Sequence, residues 1–160
     1  MNFRMISAAA GTGLALVIML IQVPASAGVF SGMDGNWSGG GVLSYANGNK
    51  ERLRCRASYS VGREGDQLNL SIRCASDSYR FDLSGYMVNS GGAISGQWSE
   101  TSFNAAGTVR GSASGNRVQA HAVGSTFSAN LSMTTGGNRQ TVTISPQATD
   151  VRSVTLSLSR

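Results

Sequence analysis

From Trp37 onward, apolar residues recur at every second position, and Gly, Asn and Ser clusters interrupt them about every dozen residues. That is the period of strands with one buried face, joined by short turns. Almost no stretch has helical spacing. The clearest unit is a hairpin. Leu53, Cys55, Ala57, Tyr59 and Val61 share one face of its first arm, and Leu68, Leu70, Ile72 and Cys74 share one face of the second. Folding at Glu64-Gly65 lays these faces side by side and sets Cys55 directly opposite Cys74.

Eight further segments follow the same rule. Trp37 to Tyr45 comes first and ends at Asn47-Gly48-Asn49. After the hairpin, Tyr79, Phe81, Leu83, Gly85 and Met87 form a face, then the turn Asn89-Ser90-Gly91-Gly92, then Ile94, Gly96 and Trp98. Placing Met87 opposite Ile94 sets Gly85 opposite Gly96 and Leu83 opposite Trp98. Ala106 to Ala113 and Arg117 to Val123 flank Ser114-Gly115-Asn116. Phe127, Ala129, Leu131 and Met133 face Val142 and Ile144 across Gly136-Gly137-Asn138, and Pro146 is expected to end that strand. Val154, Leu156 and Leu158 close the series.

Consecutive strands joined by short turns make a meander, and closure into a barrel protects its edges. The expected fold is all-β: a small up-and-down antiparallel barrel of eight to ten strands with one cross-strand disulfide. A two-sheet β-sandwich is the alternative. Small inward residues, among them Gly39, Gly41, Gly85, Gly96 and Ala120, suit either a ligand cavity or a flattened barrel that bends at its glycines.

The N-terminus changes the picture of compartment. Arg4, the apolar run Ala8 to Ile21, Pro24 and Ala25-Ser26-Ala27 read as a signal peptide over residues 1–27. Residues 28–160 then form a single β-barrel domain, periplasmic or secreted and not membrane-spanning after cleavage. The apolar run is short for a spanning helix. In an oxidising compartment, Cys55 and Cys74 are expected to pair. A loop of that length contributes about 3 kcal/mol on the chain-entropy estimate.

The chain carries 13 basic against 8 acidic side chains, a net charge of +5, and Lys50 is its one lysine. So mild and dispersed a charge argues for anionic envelope partners and against nucleic acid. Alternation puts Arg52, Arg54 and Arg56 on one side of a strand, about 7 Å apart. The cysteine register sets Arg73 opposite Arg56, a repulsion that Glu51, Asp77, Asp82 or an external anion must offset. These arginines make an anion- or partner-binding patch the expectation for the outer wall. They also argue against the rival reading of an outer-membrane barrel, whose outer face meets lipid.

Catalytic chemistry has little to build on. His121, the one histidine, lies in phase with Arg117 and Gln119 on a polar face. Zinc sites need several nitrogen or sulfur ligands, and no G-x-S-x-G elbow marks a serine nucleophile. Nothing pairs two of Asp34, Asp66, Asp77, Asp82, Glu100 and Asp150. No catalytic residue, metal or cofactor is expected.

Gly35-Asn36-Trp37 opens the first strand, and Arg160 lies in phase with Val154, Leu156 and Leu158 on the last. An arginine stacked on the tryptophan would cap one barrel end. This resembles the calycin pattern of lipocalins and avidins, which implies ligand binding; some secreted barrels of this size inhibit proteases. Trp37-Ser38-Gly39-Gly40-Gly41, Arg54-Cys55-Arg56, Arg73-Cys74-Ala75-Ser76 and Gly96-Gln97-Trp98-Ser99-Glu100 together resemble small exported proteins of alphaproteobacteria, rhizobia among them. That resemblance implies export and this fold. The expected function is binding of a small molecule or an anionic envelope component by a non-enzymatic barrel. Arg54, Arg56 and Arg73 would act outside, with Trp37, Tyr59, Phe81 and Trp98 lining the core or cavity. The alternative is a periplasmic protein-interaction module, such as an inhibitor or an envelope assembly factor.

Overall fold

Among the described residues, ten strands follow one another with no helix beyond a single 3-10 turn at Arg63–Gly65. They are β1 (Gly35–Tyr45), β2 (Lys50–Gly62), β3 (Gln67–Ala75), β4 (Arg80–Ser90), β5 (Ala93–Glu100), β6 (Ala105–Ser114), β7 (Arg117–Gly124), β8 (Ser128–Gly136), β9 (Arg139–Gln147) and β10 (Val151–Ser159). The structure is a computed structural model and describes residues 27–160. Residues 1–26, which carry most of the expected signal peptide, lie outside the described residues. Each strand pairs antiparallel with its neighbours in sequence, and β1 pairs with β10 to close the barrel. No helix among the described residues is long and apolar enough to cross a membrane.

The cysteine hairpin has the register its symmetry predicts. Cys55 faces Cys74 and Arg56 faces Arg73. The sulfurs are bonded, with Cα atoms 4.1 Å apart. The β4–β5 hairpin differs from expectation by two residues. Asn89, not Met87, faces Ile94; Met87 faces Gly96, Gly85 faces Trp98 and Leu83 faces Glu100. Gly91 and Gly92 alone make the turn, with φ of 59° and 93°. Two left-handed residues form the tight hairpin turn whose twist matches the strands, so Ser90 pairs with Ala93 instead of entering a four-residue loop. A shift of two preserves the faces, and the inward set is unchanged. Pro146 does not end β9: it pairs with Ala129, and the strand runs to Gln147. The ladder to β10 has already stopped at Ile144, so proline's missing N–H breaks no bond on that side.

The barrel is bent most sharply where inward glycines let neighbouring backbones touch. A Cβ on Gly39 or Gly41 would overlap the Ser157 or Thr155 carbonyl of β10, and one on Gly107 or Gly111 would overlap β7. Gly39 and Gly41 belong to β1, Gly107 and Gly111 to β6. Gly96 of β5 is held as closely, since its added Cβ would overlap the Tyr86 carbonyl of β4, so these tight corners are not confined to two strands.

The two barrel ends are unlike. The β2–β3, β4–β5, β6–β7 and β8–β9 turns lie at one end, and the chain before β1 folds across it. Gly28 and Phe30 donate their N–H groups to the Glu64 and Gly65 carbonyls, both at 2.9 Å. This seats Phe30 and Met33, 0% and 2% exposed, as a plug. The other five connections ring the opposite end.

Candidate functional site

At the plugged end the inward side chains are sealed. Trp37 is 2% exposed, and its indole N–H donates to the Met33 carbonyl at 2.7 Å. The Arg160 guanidinium lies 4.8 Å from the centre of the Trp37 ring and donates to the Asp34 carbonyl. Tyr59 packs edge-on to Trp37, with centroids 6.4 Å apart. Its hydroxyl donates across the interior to Gln140 Oε1 at 2.6 Å, and Gln140 Nε2 donates onward to Thr135 Oγ1 at 3.0 Å. Burial pushes the Tyr59 hydroxyl well above the usual phenol range, against a smaller opposing effect of Gln140, so it remains a donor. Of the expected lining residues, Trp37 and Tyr59 thus belong to the closure.

The opposite half is different. Leu70, Leu83, Leu131, Ile144 and Val154 all point inward and yet are only half-buried. In the plugged half the equivalent positions Met87, Ile94, Val118, Met133 and Val142 are buried. Leu43, Leu53, Ile72 and Cys74 in the open half are buried as well, so the accessible surface that the interior keeps is confined to a few positions toward the open end.

Aromatic rings gather around it. Phe81 and Trp98, the other expected lining residues, are half-buried here. Phe127 packs on Trp98 with centroids 5.4 Å apart, and Tyr79 meets Phe103 at the same spacing. The Trp98 ring lies over Gly124, where a Cβ would crowd it, and its N–H donates to the Thr108 carbonyl at 3.2 Å.

Two carboxylates stand at this rim. Glu51 accepts from the Ser76 and Ser78 hydroxyls, both at 2.5 Å, and from Tyr45 at 3.1 Å. The Ser76 and Ser78 bonds hold its carboxyl below the usual range, against burial. Glu100 is 3% exposed. Burial pushes its carboxyl up, but the backbone N–H groups of Asp82, Phe103 and Ser102, donating at 2.7 to 3.0 Å, outweigh burial with help from the Ser102 hydroxyl. Its value ends below the usual one. Both groups tie loops together.

The expected arginine patch lies on the outer wall. Arg54, Arg56 and Arg73 are exposed and line an open groove of about 730 Å³ with Arg80 and Asp82. Asp82 answers the Arg56–Arg73 opposition by pairing with Arg73 at 3.0 Å. His121 is exposed, with Nδ1 2.9 Å from Asn130 Oδ1.

The sequence reading missed Phe30, Met33, Gln140 and Phe103, and it placed Phe127 on an inward face without its contact to Trp98. Gln140 carried a signal, since it lies in phase with Val142 and Ile144. Phe30, Met33 and Phe103 sit outside the strands, where alternation says nothing.

No family model and no curated protein matches the chain. Solved structures share its fold. It is similar to Rv2717c from M. tuberculosis at 13% identity and a TM-score of 0.62, covering 81% of this chain and 93% of that one. It is also similar to the S-type phycobiliprotein lyase CPES from Guillardia theta at 11% identity and a TM-score of 0.56, covering 81% and 87%.

Proposed function

We propose that this protein is an exported, non-catalytic binding barrel that takes a small apolar or aromatic molecule through its open end. One observation carries the reading: Leu70, Leu131 and Ile144 point inward near mid-barrel but are only half-buried, while Phe30 and Met33 plug the other end. Small-molecule sites are concave, mostly apolar and aromatic, with a few polar groups that orient the ligand. Phe81, Trp98 and Phe127 supply the aromatic surface. Tyr45 and Tyr79 bring hydroxyls near the rim. Glu51 and Glu100 are occupied with loop hydrogen bonds, which supports binding without catalysis. Export rests on the leader pattern and agrees with the Cys55–Cys74 bridge.

The test is native mass spectrometry of protein purified from a bacterial periplasm, joined to titration with an apolar fluorescent probe. A retained small molecule, or probe binding that Leu131→Trp weakens about tenfold or more by filling the space, is the expected result. Val123→Trp, on the outer wall, should leave binding unchanged. No retained ligand and no probe binding, or equal binding by Leu131→Trp, would sink the reading.

A second reading, a protein-interaction module, draws on Phe103, which is 59% exposed on the β5–β6 loop. Phe103→Ser would then abolish partner capture and leave probe binding intact.

A further inference from the structure

Apart from its open end, the barrel carries a second built surface. We propose that the outer wall over β1–β3 binds an extended, carboxylate-bearing polysaccharide. The floor is β1, where Ser38-Gly39-Gly40-Gly41 present almost no side chain. Along one side, Arg52, Arg54 and Arg56 project from β2 at a spacing of about 7 Å. The 730 Å³ groove joins, through shared Arg54, a 570 Å³ depression lined by Gly40, Val42 and Arg52. The two together follow the strand and suit a linear occupant.

The charges in this channel are largely unanswered. Asp82 is its one lining carboxylate, and Arg73 takes it. Among the described residues Arg54, Arg56 and Arg80 form no ion pair. Guanidinium forks match carboxylates in pairs of parallel hydrogen bonds. Across the glycine floor the wall turns to hydroxyls. Ser159, Ser157 and Thr155 of β10 lie opposite Ser38, Gly40 and Val42, and Thr141 and Thr143 of β9 continue the rows. A chain bearing both carboxylates and hydroxyls fits a channel with arginines on one side and serines and threonines on the other.

Two other polyanions fit less well. A lipid surface needs apolar anchors beside the basic residues, and Val42 is the one large exposed hydrophobic residue here. Single-stranded nucleic acid needs aromatic platforms for its bases. The channel's one ring, Phe81, points into the barrel.

The experiment is calorimetric titration of the purified protein with galacturonate oligomers, neutral dextran oligomers, inorganic polyphosphate and anionic phospholipid vesicles. Binding to the galacturonate oligomers alone is expected, weakening as salt rises from about 0.05 M to about 0.3 M. The triple variant Arg52→Gln, Arg54→Gln, Arg56→Gln should lose about tenfold or more in affinity. A control on β6 and β7, Arg110→Gln with Arg117→Gln, should lose none. If the triple variant does not fold, Arg54→Gln alone should lose about threefold or more. The proposal is overturned if no oligomer binds, if patch and control variants bind alike, or if polyphosphate or vesicles bind as tightly as the galacturonate oligomers. Each of these readouts is independent of the open end, so Leu131→Trp leaves them unchanged.

Discussion

Tyr59 and Gln140 come from strands far apart in sequence and meet inside the plugged end at 2.6 Å. Alternation alone marks both as inward residues. It does not reveal that they meet, because that requires the closure of the whole ring. Tyr59→Phe removes the donor and leaves Gln140 Oε1 without its partner in a dry interior. Urea titration should show a loss of about 1–2 kcal/mol. Glu100 is a similar case: it lies in phase with Ile94, Gly96 and Trp98, which marks it as inward, but two of its three backbone donors, Ser102 and Phe103, come from a loop that alternation does not describe. The sign of its pH effect follows from its lowered folded pKa. Its contribution is complete above the ordinary glutamate value of the unfolded chain and disappears as pH falls through the lower folded value. Wild-type stability should therefore decline across the acid range. Glu100→Gln should be less stable at neutral pH, and its deficit should shrink as the wild type is protonated. Urea midpoints of the two proteins between pH 7 and pH 3 check this; parallel curves would remove Glu100 from the account.

At the level of strands, faces were readable throughout and pairing only where a constraint fixed it. Cys55 and Cys74 fixed β2 against β3. Nothing comparable held β4 against β5, where Gly91-Gly92 accepts either a two-residue or a four-residue turn on pattern alone, and both keep the same face inward. The corners follow a related rule. Inward glycines announced either space or bending, and contact geometry decides for bending at Gly41, whose added Cβ would meet the Thr155 carbonyl. Gly41→Ala must open the β1–β10 seam and should lower stability by about 2–4 kcal/mol. Gly32→Ala is the control, since nothing lies within 4 Å of its added Cβ. The disulfide belongs to the same scale. Cys55→Ser with Cys74→Ser should lose about 3 kcal/mol by loop-closure entropy, and high salt should recover part of the Arg56–Arg73 repulsion beside it. A midpoint unchanged by reduction would show the bridge to be dispensable.

For the whole molecule the decisive property is its asymmetry, and the sequence displayed only half of it. Trp37 and Arg160 pointed to a capped end, and they meet there. The open end was hidden because Leu70, Leu131 and Ile144 look, in sequence, like any core leucine or isoleucine. Their partial exposure comes from what fails to cover them: among the described residues no segment crosses that end as Phe30 and Met33 cross the other. Cooperative opening follows buried contacts and protected hydrogen bonds, so the two ends should differ in amide exchange. Amides of β1, β2 and the 28–34 segment should exchange slowest. Those around Ser76–Tyr79, Thr101–Asn104 and Ser125–Phe127 should exchange fastest. A ligand held among Phe81, Trp98 and Phe127 buries the surface these loops leave open, so its binding should slow exchange at the loops and barely alter the plugged end. Saturating an apolar ligand and recording exchange by mass spectrometry tests this directly. Equal protection at both ends would mean that the barrel takes nothing inside, and the outer wall would be left as its working surface.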